Sequence, residues 1–388
     1  MVYQHLFFAY DYPHTLNDSS SLAVASYRLL FCRRRLRRYF FTTTYIVSYH
    51  IISKRIRQWQ MTGFTSYSST SSSSTQLFVG TNANEFMPMK RGSTCALITP
   101  FTEDDKIDVP GLEKLIDFHL EAGTDNLCVL GTTAEASVMS MEERELALTT
   151  IVNRAKGKIP LLVGTGTIDP ASVKKYTQQA IDLGADASLV VSPYYVKPPQ
   201  RGLIKHFTSM ADMGLPVILY NVPGRTAVDI SDETIATLAQ HEHIVGIKDA
   251  TGDISRLTSL KNILGEEGSK NFLKYSGDDG TTLDFILAGG DGCISVTANI
   301  TPKVMKAMVH AALEGNGELA RELNQPLELL HQRLFVEANP IPCKWAANRM
   351  GLTSRAYCRA PLDELDPQYY DFLEEALVAA NMLVTQER

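Results

Sequence analysis

Residues 244–249 read IVGIKD, an apolar run of strand length that ends on a lysine and an aspartate. Similar runs flank it on both sides. STCALIT (93–99), DNLCVLG (125–131), IPLLVGTG (159–166), ASLVVSP (187–193) and LPVILYN (215–221) precede it, and NFLKYSG (271–277) and DGCISV (291–296) follow. Each looks buried on both faces, as parallel strands covered by helices should be. Helical patterns lie between them, for example Val109 to Leu120 and Met141 to Ala155. Ser140 with Glu143 predicts a capping box at the start of the second, and Asp169-Pro170 and Ser231 predict two further helix starts. Eight such units, spaced by roughly 20–30 residues, predict an α/β fold: a closed (β/α)8 TIM barrel rather than an open doubly wound sheet. An open sheet would announce itself with a Gly-rich phosphate loop after its first strand. Thr99-Pro100-Phe101 stands there instead.

The barrel is expected over 91–310. More helical sequence follows than one closing helix requires, so 311–388 reads as a C-terminal helical extension. Residues 1–90 are a different kind of sequence. Before Glu85 they carry nine lysines and arginines against Asp11 and Asp18, with a Ser/Thr run from Thr65 to Thr75. An Arg- and Ser-rich, acid-poor arm predicts a disordered targeting segment. The expected destination is the plastid (chloroplast) stroma, with the mitochondrion as alternative. If Met61 is the true start, the arm is an over-extended gene model and the protein is cytoplasmic. The remainder holds 28 bases against 41 acids, which argues against nucleic acid as a partner.

Hydrophobic content of 44% and charged content of 21% suit a soluble globular chain. The most apolar stretch, Tyr39 to Ile52, is too short and too interrupted by Thr, Ser and His to span a bilayer. Cys32, Cys95, Cys128, Cys293, Cys343 and Cys358 form no Cys-x-x-Cys pair, and all are read as reduced thiols. Neither a metal site nor a disulfide framework is expected.

In a barrel of this kind the reacting groups lie at the C-terminal ends of the strands. Those positions hold Thr132, Thr133, Tyr194, Tyr195, Tyr220, Asn221, Arg225, Lys248 and Ser276-Gly277-Asp278-Asp279. Lys248 is the most informative. Burial disfavours a charged ammonium and frees a neutral amine for attack on a ketone. The bland reading, a lysine snorkelling outward or paired with Asp249, weakens once hydroxyls and an arginine converge at neighbouring strand ends. Tyr220 ends the adjacent run and can exchange protons. Alone, it would more often be a packing residue. Arg225 follows a Pro223-Gly224 turn and suits bidentate carboxylate binding, although a surface ion pair would explain an isolated arginine equally well.

Seven strings in order carry a family likeness: Gly131-Thr132-Thr133-x-Glu135, Gly164-Thr165-Gly166, Ser192-Pro193-Tyr194-Tyr195, Leu219 to Thr226 (LYNVPGRT), Gly246 to Gly252 (GIKDATG), Ser276-Gly277-Asp278-Asp279 and Gly292 to Asn299 (GCISVTAN). From Gly92 to about Leu377 the chain resembles the dihydrodipicolinate synthase / N-acetylneuraminate lyase superfamily. The resemblance implies a Schiff-base lyase in which Lys248 condenses with pyruvate and the enamine attacks aspartate-semialdehyde, on the diaminopimelate route to lysine. It implies that Tyr220 moves protons, that Thr132 links it to Tyr195, and that Tyr195 reaches a neighbouring subunit's site. Thr133, Gly277 and the main chain of Ile294 would hold pyruvate, and Arg225 the second carboxylate. A homotetramer built from dimers, without metal or organic cofactor, is also implied.

Two departures stand out. Ala134-Glu135-Ala136 replaces the usual Gly-Glu-Ser, which raises the question of a Cβ at a left-handed position. Where relatives bind inhibitory lysine, this chain has Ala136, Met141, Arg144, Ile168 and Ser172, with only Tyr194 retained, so weak or absent lysine inhibition is expected. The rival readings are another pyruvate-linked enzyme of the superfamily (N-acetylneuraminate lyase or 2-keto-3-deoxy-gluconate aldolase) and a catalytically silent metabolite-binding barrel. The arginine of the Asn-Val-Pro-Gly-Arg-Thr turn speaks against the first. The joint presence of Lys248, Tyr220, Thr132 and Thr133 speaks against the second.

Overall fold

The computed structural model describes residues 88–383, so residues 1–87 of the N-terminal arm, with Cys32 and the Tyr39–Ile52 stretch, lie outside the described residues. Met89 is buried and Lys90 N donates to Asn126 Oδ1 at 2.9 Å, so the barrel begins slightly before the expected 91. Eight parallel strands close into one barrel in sequence order. They are β1 (Gly92–Ala96), β2 (Asn126–Val129), β3 (Leu161–Gly164), β4 (Ala187–Val191), β5 (Val217–Asn221), β6 (Ile244–Asp249), β7 (Leu273–Ser276) and β8 (Gly292–Ser295). The eight apolar runs are therefore the eight strands, trimmed at their ends. Closure comes from β1 pairing with β8, Gly92 opposite Gly292.

One main helix follows each strand: α1 (Val109–Ala122), α2 (Met141–Ala155), α3 (Pro170–Leu183), α4 (Gln200–Ala211), α5 (Asp232–Leu238), α6 (Ser255–Lys270), α7 (Thr282–Leu287) and α8 (Pro302–Leu313). The expected capping box opens α2. Ser140 Oγ accepts from Glu143 N at 3.2 Å, and Ser140 N donates to the Glu143 carboxylate at 2.9 Å. Asp169 and Ser231 cap α3 and α5. The boundary expected at 310/311 falls inside α8, which runs on to Leu313 and gives way at Gly315, with φ +77°. The extension then comprises α9 (Gly317–Asn324), α10 (Glu328–Arg333), α11 (Ile341–Arg349) and α12 (Tyr370–Ala379).

Two apolar layers result from strand alternation. Val217 and Leu219 face outward and pack with Leu203, Phe207, Met210 and Ile235 of the surrounding helices. Ile218 and Tyr220 face inward, with Cys128, Leu189, Tyr275 and Ile294. Burying each large aliphatic side chain of these layers contributes roughly 1.5–3 kcal/mol. The β5–β6 register slips at Val217/Ile218. Ile244 therefore stays opposite Val217 in the outer layer, while Gly246 and Lys248 pair with the inward Ile218 and Tyr220. Beyond this slip, Lys248 stands in register with Tyr220 near the C-terminal ends of the two strands.

Candidate active site

Tyr220 and Lys248 are direct partners across β5 and β6, and Tyr275 of β7 sits opposite Lys248 on the other side. Lys248 is 6% exposed. Its Nζ lies 4.5 Å from the centroid of the Tyr220 ring. Among the described residues no carboxylate pairs with it. Its neighbour Asp249 projects to the opposite face, where Arg256 Nε lies 3.0 Å from the carboxylate. Burial pushes the Asp249 carboxyl above its ordinary range, and Arg256 pulls it back. The bland reading of Lys248, a partner for Asp249, is thus not what the fold builds. Gly277 explains itself beside this amine. A Cβ there would sit 2.9 Å from Lys248 Cε and 2.8 Å from the Ala250 methyl.

Lys248 opens into a cavity of about 180 Å³ at the C-terminal ends of the strands. Thr132, Thr133, Tyr220, Arg225 and Gly277 line it together with Lys248. The two threonines occupy a 3-10 turn, Thr132–Ala134, between β2 and α2. Glu135 closes the turn at φ +56°, its N–H donating to the Thr132 carbonyl at 3.0 Å. The left-handed residue is therefore Glu135, and Ala134 is fully buried in the helical turn. The extra methyl meets no positive φ. Arg225 stands on a single helical turn, Pro223–Thr226, whose missing Pro N–H costs nothing at a helix start. It is exposed at the rim of the cavity.

Ile294 and Tyr195 are placed elsewhere. Ile294 is buried in β8 within the inner apolar layer, and Val296, two residues on, lines the cavity. Tyr195 is 87% exposed at φ +70°, next to an exposed Val196. No hydrogen bond joins Tyr220, Thr132 and Tyr195 among the described residues. Tyr194, by contrast, shares a 3.1 Å hydroxyl contact with Thr167.

Sequence reasoning missed Asn339 and Phe335, two lining residues from the extension. Neither stands at a strand end, and only the Asn339-Pro340-Ile341-Pro342 string marked the place. It also read Cys128 only as one of six reduced thiols. Cys128 lines the cavity, and burial pushes its thiol up to about 11, so it stays a protonated spectator near neutral pH.

The polar inventory is one primary amine, a phenol, two threonine hydroxyls and a guanidinium around a small chamber of mixed polar and apolar lining. An amine in such a chamber can attack a carbonyl carbon, the phenol can carry the protons this releases, and hydroxyl and guanidinium donors can hold carboxylates.

Comparison with known proteins agrees with this geometry. The profile of the Dihydrodipicolinate synthetase family matches residues 89–380. The 4-hydroxy-tetrahydrodipicolinate synthase of Shewanella frigidimarina is 45% identical over 297 residues, 76% of this chain and 100% of that one. A chloride-inhibited dihydrodipicolinate synthase from Acinetobacter baumannii, solved with pyruvate, superposes with a TM-score of 0.73 at 45% identity, covering 76% of this chain and 99% of that one. The enzyme from Cyanidioschyzon merolae, solved with lysine bound, gives 0.71 at 32% identity, with 76% and 99% covered.

Proposed function

Because the chain belongs to the dihydrodipicolinate synthetase family, we propose that it condenses pyruvate with L-aspartate-4-semialdehyde, the 4-hydroxy-tetrahydrodipicolinate synthase reaction of the diaminopimelate route to lysine. One observation carries the reading: a buried amine, Lys248, paired in register with Tyr220 inside a chamber that also presents Thr133 and Arg225. Lys248 attacks the keto carbon, water leaves, and an imine forms. Loss of a methyl proton gives an enamine whose carbon bonds to the aldehyde carbon of the second substrate. The amino group of that substrate then attacks the imine carbon, closing the ring and releasing Lys248. Tyr220 ferries the protons of these steps. Thr133 holds the pyruvate carboxylate, and Arg225, at the rim, holds that of the aldehyde. Arg225 is also what favours this reaction over a sugar-acid aldolase, whose substrate carries no second carboxylate to meet it.

Borohydride with pyruvate should attach a stable adduct to Lys248. Turnover should then follow aspartate-semialdehyde, and neither N-acetylneuraminate nor 2-keto-3-deoxy-gluconate should be cleaved at a comparable rate. An unlabelled chain would leave only the silent-barrel reading standing.

The exposed Tyr195 and Val196 supply a surface for a second copy, in keeping with a tetramer built from dimers in which Tyr195 enters the neighbouring chamber. The composition of the N-terminal arm supports import into a plastid.

Regulation by lysine is expected to be lost. Arg144 is 2% exposed, stacks 4.0 Å over the Tyr176 ring, and donates to the Gly164 carbonyl at 2.7 Å. No carboxylate neutralises it among the described residues, and burial pulls its guanidinium down to about 10, still charged at neutral pH. A cationic effector at the position that the resemblance assigns to Arg144 would meet a like charge instead of an acceptor. Millimolar lysine should leave the initial rate unchanged. Half-inhibition in the low-millimolar range would overturn this.

A further inference from the structure

The Thr132–Ala134 turn is held by the C-terminal extension rather than by the barrel. Glu135, which ends the turn, lies 2.6 Å from Lys344 Nζ on α11, and each side chain is 1% exposed. The other Glu135 oxygen accepts from Arg359 N at 2.7 Å. Lys344 and Arg359 both rest on the Phe101 ring, each 4.2 Å from its centroid. A second tie joins the same segments, where Asn339 Nδ2 donates to Thr133 Oγ1 at 2.9 Å.

Stability alone does not account for a dry ion pair, since an apolar pair of the same volume is often as stable or more so. Its position does. A hydroxyl has one proton to give. With Oγ1 already accepting from Asn339, the Thr133 proton is left for an acceptor in the chamber. Moving the turn by an ångström would spoil that aim.

We propose that Glu135, Lys344 and Asn339 are positioning residues for the keto acid: they fix the threonine turn so that Thr133 presents its hydroxyl proton to the keto acid's carboxylate. This rests on the reading of the chamber as a pyruvate site, and it makes the extension part of that site although most of it lies outside the barrel.

The test measures KM for each substrate, kcat, and the pyruvate concentration that half-saturates borohydride trapping. Asn339→Leu removes the donor and leaves the ion pair intact. It should raise pyruvate KM and the trapping midpoint by about tenfold or more, with the aldehyde KM and the thermal midpoint unchanged. The double variant Glu135→Gln/Lys344→Met removes both charges together, so no buried ion is orphaned. It should stay folded and show the same pyruvate-specific rise, which Lys344→Arg alone, keeping the pair, should largely avoid. A folded Asn339→Leu chain with wild-type pyruvate KM and trapping midpoint would overturn the proposal, as would a loss that falls equally on both substrates. Failure of the wild-type chain to trap pyruvate at all would instead bring down the parent reading, and this one with it.

Discussion

Replacing Lys248 by alanine is expected to lower turnover by on the order of 10⁴-fold or more and to abolish pyruvate-dependent borohydride labelling. The size follows from the chemistry. Without the amine there is no imine, and the methyl carbon of pyruvate loses the electron sink that makes it nucleophilic. Water and the remaining donors cannot replace a covalent step. The substitution should not unfold the chain, because the amine carries no ion pair among the described residues and the side chain ends in an open chamber. Lys248→Arg is the sharper control. It keeps a polar head of similar reach, but a guanidinium does not give up its proton, so it cannot act as the nucleophile and should be as inactive as alanine. Turnover within about tenfold of wild type in a folded Lys248→Ala chain would place the chemistry elsewhere.

How much of this could be read from the chain depends on how far apart the interacting residues are. The strands were legible because each is a short apolar run, and a parallel strand under helices needs no more than that. Lys248 and Tyr220 were legible because a barrel places chemistry at strand ends, so two unusual residues closing adjacent runs had to be neighbours. That they are direct partners was not legible. It depends on the register slip at Val217/Ile218, and nothing in LPVILYN or IVGIKD specifies one. The Ala134 question was well posed but misplaced by one residue, because the turn winds as a 3-10 helix before its left-handed step.

The extension's share of the site could not be read at all. Glu135 and Lys344 are 209 residues apart, and Thr133 and Asn339 206. A lysine on a short helix carries no periodic mark that tells a buried partner from a solvated one. Tyr195 is a different case. Its place beside Tyr194 was evident, but its ring is 87% exposed and does not line the chamber.

Tyr220→Phe is expected to reduce kcat by about 10²–10³-fold while leaving the extent of pyruvate trapping intact and slowing only its rate. The ring must stay, since it packs in the inner layer and lies against the amine at 4.5 Å. Phenylalanine keeps both contacts. What is removed is one hydroxyl that bonds to no other described residue, so no partner is left orphaned and the thermal midpoint should hold. Imine formation, enamine formation and ring closure each need a proton carried to or from a heavy atom near Lys248. A loss spread over all of them should depress kcat more than KM. The size of the loss also tests the company Tyr220 keeps. If Thr132 and a neighbouring chain's Tyr195 complete a relay, Thr132→Val should lower kcat less than Tyr220→Phe does, and the two together should cost little more than Tyr220→Phe alone, because a broken relay cannot be broken twice. Full additivity would make Tyr220 an independent proton carrier. A Tyr220→Phe chain turning over within about threefold of wild type would remove the phenol from the mechanism and leave water as the carrier.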